Sequence, residues 1–183
     1  MGEAIARRKL LTMFWNDIKY TASLVLPDME RNLIRPPGAV AERTLLSRCK
    51  HCGRCAEVCP AGAIQIAGPE KGIHYGTPYL QPGEKPCAMC LKCIDVCSSG
   101  ALQAKKDGEK YIIGEGKINR SICLAWNGQF CTACKNACVL EESAIEFKKK
   151  RYPIIIREDK CIGCGQCVKA CLAPVPAIEI YPR

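Results

Sequence analysis

CKHCGRCAEVCP, residues Cys49–Pro60, is the stretch that decides what kind of chain this is. Its cysteines, Cys49, Cys52, Cys55 and Cys59, stand in the spacing C-x2-C-x2-C-x3-C. The same spacing returns at Cys87, Cys90, Cys93 and Cys97 (CAMCLKCIDVC) and at Cys161, Cys164, Cys167 and Cys171 (CIGCGQCVKAC). A remaining quartet, third in chain order, is stretched: seven residues separate Cys123 from Cys131, and Cys134 and Cys138 follow (CLAWNGQFCTACKNAC). These four quartets use all sixteen cysteines of the 183-residue chain. Three thiolates on one tight loop with a fourth close behind form the ligand pattern of cubane [4Fe–4S] clusters. Four quartets therefore imply four clusters, their iron held by the sixteen cysteines and close enough together to pass electrons. In this reading the fourth cysteine of each run opens a short helix, points away from its own loop and ligates a neighbouring cluster.

Other uses of cysteine fit the spacing poorly. A disulfide framework belongs to an oxidising compartment and a smaller chain, and has no reason to repeat a 2-2-3 spacing. Structural zinc takes C-x2-C pairs separated by a dozen or more residues, whereas here a third cysteine follows each pair almost at once. Zinc competes only at the stretched third quartet. A radical-generating enzyme would need C-x3-C-x2-C and one iron open to substrate. Each quartet here supplies four thiolates, so the chain is expected to transfer electrons and to leave catalysis to another subunit.

Composition agrees. Aromatic residues make up only 6% of the chain, so the apolar core is thin and the clusters must supply much of the folding energy. The formal net charge of +9 invites a nucleic-acid reading. Four cubanes with their thiolates bring about −8, which leaves the loaded protein near neutrality. The basic residues then serve mainly as counter-charge, and nucleic acid is not an expected partner. The densest basic run, Lys148–Arg151, reads as a solvated face. No stretch approaches the length of a transmembrane helix. Arg7-Arg8 faintly resembles a twin-arginine export signal, but Asn16, Asp17 and Lys19 break the apolar region that should follow. Retention in the cytoplasm is the expectation, with export to the periplasmic side through this N-terminus as the alternative.

Along the chain the reading is an N-terminal arm, residues 1–35, and a cluster-binding domain, residues 36–183. Leu11, Trp15, Ile18, Ala22 and Val25 recur at spacings of four and three, one apolar stripe on a helix that Pro27 and Pro36-Pro37 terminate. The stripe could cover the chain's own clusters or dock on a partner subunit. Each quartet is followed by an Ala-Ile or Ala-Leu pair leading into a short β-like stretch: Ala63-Ile64, Ala101-Leu102, Ala144-Ile145 and Ala177-Ile178. Ile154–Ile156 reads as a strand ahead of Cys161, and the segments Gly68–Pro86 and Lys105–Gly116 read as linkers or hairpins. The fold class is α+β: four cluster-binding repeats forming two bacterial ferredoxin-like modules, with an N-terminal helical arm. Gly53, Gly163 and Gly165 let backbone N–H groups approach the sulfurs. His51 reads as an ordinary loop residue, His74 has no partner motif, and Trp126 reads as a lid over the third cluster.

RPPGAV (Arg35–Val40), the stretched third quartet and CIGCGQCVKACLAPVPAIEI together resemble the NapG/MauM-type polyferredoxins over about residues 33–183. The resemblance implies a four-cluster electron carrier with all sixteen cysteines as ligands. It works with a molybdenum enzyme or as a quinol- or membrane-linked ferredoxin of a periplasmic reductase system. The layout is also similar to the electron-transfer subunits of molybdenum or tungsten oxidoreductases of the aldehyde oxidoreductase type, which suit the N-terminus better. The primary expectation is therefore a subunit relaying electrons between such a catalytic partner and a second redox protein. An iron–sulfur protein that binds nucleic acid is the remote alternative. Resemblance to four-cluster subunits also suggests that quartet one pairs with four and two with three. The Ala-Ile and Ala-Leu pairs hint otherwise. They lie four residues past the last cysteine in quartets one and two and six past it in three and four, which favours sequential pairing.

Overall fold

The computed structural model describes residues 33–147, 154–157 and 159–183. The apolar stripe of the arm and the basic run at 148–151 lie outside the described residues.

Each half of the described chain encloses two quartets in the same way. In the first half the residues after Pro36-Pro37 run antiparallel to the end of the half, with Ala39 bridged to Leu102 and the Val40 N–H donating to Ala101 O at 3.1 Å. Between these ends lie helix α1 (Glu42–Arg48), the one-turn helix α2 (Arg54–Glu57), strand β1 (Ile64–Ile66), strand β2 (Pro78–Leu80) and the one-turn helix α3 (Lys92–Asp95). Strands β1 and β2 pair antiparallel, Ile64 opposite Leu80, and the span between them carries a 3-10 segment, Pro69–His74.

The second half repeats the plan. Strand β3 (Glu115–Ile118) opens it and pairs antiparallel with the last strand, β6 (Ile178–Tyr181). Within it, β4 (Ile145–Phe147) pairs with β5 (Ile154–Ile156), the strand expected ahead of Cys161. The one-turn helices α4 (Ala133–Asn136) and α5 (Gln166–Lys169) complete it. Helix α2 packs on α3, and α4 on α5.

A four-residue helix has no stability of its own. Tertiary contacts hold these, and the cysteines are among them. One apolar cluster in the first half joins Ala63, Ile64, Leu80 and Leu102 to Cys87 and Cys93. Its counterpart joins Ile145, Val168 and Ile178 to Cys123, Cys134 and Cys167. The Ala-Ile and Ala-Leu pairs after the quartets are buried at all four places. Both cores are small and end at the cysteine loops, as the low aromatic content leads one to expect.

One expectation is corrected. The short helix does not open at the fourth cysteine. It carries the third, Cys55, Cys93, Cys134 or Cys167, and ends just before the fourth. The reason lies at the helix start. Gly53, Leu91 and Gly165 take left-handed backbone (φ 73, 61 and 84°) and turn the chain sharply into the helix directly after the second cysteine.

Candidate metal centres

Loops one, two and four share a second left-handed residue just before their second cysteine: His51 (φ 52°), Met89 (φ 53°) and Gly163 (φ 74°). Alternating left-handed positions turn successive N–H groups to one side of the loop, a concavity suited to an anion such as an iron–sulfur cluster. Two of the loops adopt it with non-glycine residues, at a cost of about 1–2 kcal/mol each, so the conformation is imposed on the sequence there. Loop three differs. Thr132 at its helix start is not left-handed (φ −125°), and the left-handed residue lies earlier, at Gly128 (φ 82°), among the seven residues between Cys123 and Cys131.

Three of the fourth cysteines receive hydrogen bonds from the chain that follows them. Ala63 N–H donates to Cys59 Sγ, Leu102 N–H to Cys97 Sγ and Ala177 N–H to Cys171 Sγ, each at 3.3 Å. The Ala-Ile and Ala-Leu signature thus serves two ends: its side chains fill the core and its backbone supports a thiolate. At Cys97 burial acts to raise the thiol pKa, but Ser99 Oγ and the N–H groups of Leu102, Ala101 and Ser99 outweigh it and hold the pKa below the ordinary value.

The third cysteines behave oppositely. Burial pushes the thiol of Cys55 up to about 11, Cys93 to about 12, Cys134 to about 11 and Cys167 to about 12, and neighbouring sulfurs add to it. Without metal these four sites hold protons, and iron has to displace them. All sixteen cysteines are free of disulfides. Among the described residues no three Cys, His, Asp or Glu side chains converge on a point as one zinc ion would require. A cubane asks for no such convergence, because each thiolate binds a different corner iron. The donor set fits four cubanes.

Neighbouring sulfurs reveal which quartets meet. Burial raises Cys87, the Met89 N–H lowers it, and Cys59, Cys90 and Cys164 raise it further. Cys93 is raised by burial and then by Cys87 and Cys55. In the second half burial raises Cys167, with Cys164, Cys161, Cys134 and Cys138 adding to it. With α2 packed on α3 and α4 on α5, quartet one meets two and quartet three meets four, while Cys164 of quartet four also stands near Cys87. The pairing of one with four and two with three is corrected. The strand ends of each half, Ala39 with Leu102 and β3 with β6, close two sequential quartets together. The four-versus-six offset of the Ala pairs was the readable sign of it.

Two family models match. A 4Fe-4S dicluster domain covers residues 48–101, which takes quartets one and two as a unit, and a 4Fe-4S binding domain covers residues 152–174. The methylamine utilization ferredoxin-type protein MauM of Paracoccus denitrificans is 32% identical over 85% of this chain and 74% of its own length. The chain belongs to the NapG/MauM group of ferredoxin-type proteins. The ferredoxin-type protein NapG of Escherichia coli is 33% identical over 81% of this chain and 70% of its own length. MauM of Methylorubrum extorquens is 33% identical over 84% and 74%. A NapG/MauM-type protein transfers electrons and is not itself catalytic. Among the described residues no helix is long and apolar enough to cross a membrane.

RPPGAV, one of the segments that carried the resemblance, is not at the metal centres. Arg35 is buried, with only 9% of its surface exposed. It donates from Nε to Glu42 Oε2 at 2.9 Å and from Nη1 to Thr77 Oγ1 at 3.0 Å and Pro78 O at 2.7 Å. Its Nη2 pairs with Glu42 Oε1 and stands 3.1 Å from Nδ1 of buried His74. Pro36 and Pro37 are fully buried beside it. A Cβ on Gly38 would come within 2.4 Å of the Gln103 carbonyl. The segment is a latch that ties the start of the domain to β2 and to the end of the first half. This latch gives His74, which had no partner in the sequence, its role.

His51 is an exposed loop residue whose ring lies against Gly76. Trp126 packs against the core beside Cys123 and Cys131, under the Arg120 guanidinium at 4.3 Å from its ring centre, in keeping with a cover over that loop. The surroundings of loops one and three differ. Loop one exposes Lys50, His51 and Arg54 around Cys52. In loop three Phe130 is 89% exposed.

Proposed function

We propose that this protein relays electrons through four [4Fe–4S] clusters between two redox partners. The observation that carries this reading is the meeting of the loops in pairs, through the packing of α2 on α3 and of α4 on α5. When bound, each cluster takes up and gives back one electron at a time. The chain's residues hold, cover and separate the clusters. Cys49, Cys52, Cys55 and Cys97 form the first site, and Cys87, Cys90, Cys93 and Cys59 the second. Cys123, Cys131, Cys134 and Cys171 form the third, and Cys161, Cys164, Cys167 and Cys138 the fourth. In this reading residues 36–183 are two ferredoxin-like modules and residues 1–35 an arm that docks on a partner.

Kinship with NapG and MauM supports a quinol- or membrane-linked donor over a molybdenum or tungsten partner of the aldehyde oxidoreductase type. The twin-arginine-like Arg7-Arg8 goes with that donor. Anaerobically purified protein should contain about 16 iron and 16 acid-labile sulfide. Quinol-containing membrane vesicles of the host should bleach its cluster absorbance. About 12 iron with stoichiometric zinc would remove the third site. Bleaching by a soluble molybdenum or tungsten oxidoreductase with its substrate, and not by the vesicles, would overturn the quinol-linked reading.

A further inference from the structure

The two halves touch through their metal loops. The Cys87 N–H in loop two donates to the Cys164 carbonyl in loop four at 2.9 Å, and the Ile113 N–H donates to the Ile162 carbonyl at 3.0 Å. Loop four is pressed into this contact. A Cβ on Gly163 would lie 2.5 Å from the Gly114 backbone, and a Cβ on Gly165 would lie 2.4 Å from Pro82. Both glycines are buried. Gly53 holds the place in loop one that Gly165 holds in loop four, with the same left-handed backbone, yet a Cβ there would meet nothing within 4 Å. Loop four thus faces the other half of the protein, whereas loop one faces open space at Gly53.

We propose that electrons cross this chain in the spatial order one, two, four, three, and not in chain order. The inference rests on the relay reading above. Loops one and three are then the two ends, and loops two and four form the crossing between halves. Gly163 and Gly165 are positioning residues for that crossing, because any side chain there forces the loops apart, and electron tunnelling falls steeply with separation. Each step moves one electron from a reduced site to its oxidised neighbour, with no bond made or broken. The external donor and acceptor are the relay's two protein partners.

The test compares Gly165→Ala with Gly108→Ala in the holoprotein; Gly108 is exposed, lies outside the cysteine loops and is left-handed (φ 87°), and a Cβ there would meet nothing within 4 Å. Both put a side chain on left-handed backbone, so both carry the same strain, and only one enters the junction. Iron is counted first: a wild type without about 16 iron would defeat the relay reading itself. With iron retained, Gly165→Ala should raise hydrogen exchange in peptides spanning Cys87 and Ile113 at least tenfold. It should also slow electron exchange between the halves after flash reduction at least tenfold, and Gly108→Ala should do neither. Equal behaviour of the two variants would overturn the proposed order. Should Gly165→Ala lose its clusters, exchange in the wild-type holoprotein decides. The Cys87 and Ile113 amides must then be protected like those of the β3–β6 ladder. Exchange as fast as at the exposed Glu109 would refute the junction.

Discussion

Replacing Arg35 by alanine removes the guanidinium that Glu42, Thr77, the Pro78 carbonyl and His74 all face. Breaking a buried charged pair from one side costs about 3–5 kcal/mol, because the other charge is left unpaired. The Glu42 side chain keeps 31% of its surface in water and can be partly rehydrated, which puts the loss near the low end, about 3 kcal/mol. For a chain of this length each kcal/mol moves Tm by about 2–4 °C, so Arg35→Ala should melt roughly 6–12 °C below wild type. The assay is thermal unfolding of the anaerobic holoprotein followed by circular dichroism at one fixed scan rate, with iron counted beforehand. Iron should be unchanged, because the latch holds no ligand. A Tm within about 2 °C of wild type would refute the latch, and loss of iron at room temperature would make RPPGAV part of a metal site.

Gly38→Ala puts a methyl group against the Gln103 carbonyl on backbone with φ of +77°. Left-handed strain alone costs about 1–2 kcal/mol, and the clash adds to it, so its Tm should fall at least as far as that of a strain-only variant such as Gly53→Ala. Stripping iron with a chelator under anaerobic conditions should abolish the circular dichroism of the folded chain, because the two cores are small and built partly of cysteine; a retained spectrum would show that they suffice alone. Deleting residues 1–30 should leave iron content intact and weaken assembly with the redox partner; normal assembly would sink the docking role, and lost clusters would make the arm a cover for its own domain.

What the sequence disclosed was local. Cysteine spacing fixes which thiolates share a loop, and the Ala-Ile and Ala-Leu pairs mark the strands because burial and backbone support fall on the same residues. Ile154–Ile156 was legible as a strand because three β-branched residues stand in a row there. The pairing of quartets left only the offset of the Ala pairs as a trace, because it depends on strand ends more than sixty residues apart, Ala39 with Leu102 and Glu115 with Tyr181. The latch was equally hidden. Arg35 meets Thr77 and Pro78 across forty-two and forty-three positions, and neither RPPGAV nor a lone histidine announces such partners. The left-handed Met89 and Leu91 gave no sign either, since their residue types argue against the conformation they adopt.

The contrast between the two outer loops makes the protein polar in its response to conditions. An encounter at Lys50, His51 and Arg54 is steered by charge, so its rate falls as ionic strength rises. An encounter at Phe130 draws on apolar burial, which salt scarcely weakens and cooling does. Salt and temperature are then separate handles on the two ends of one conductor. Throttling one terminus while the other runs freely would leave the clusters poised with the unthrottled side, so that the medium rather than the metal decides which partner sets their redox state.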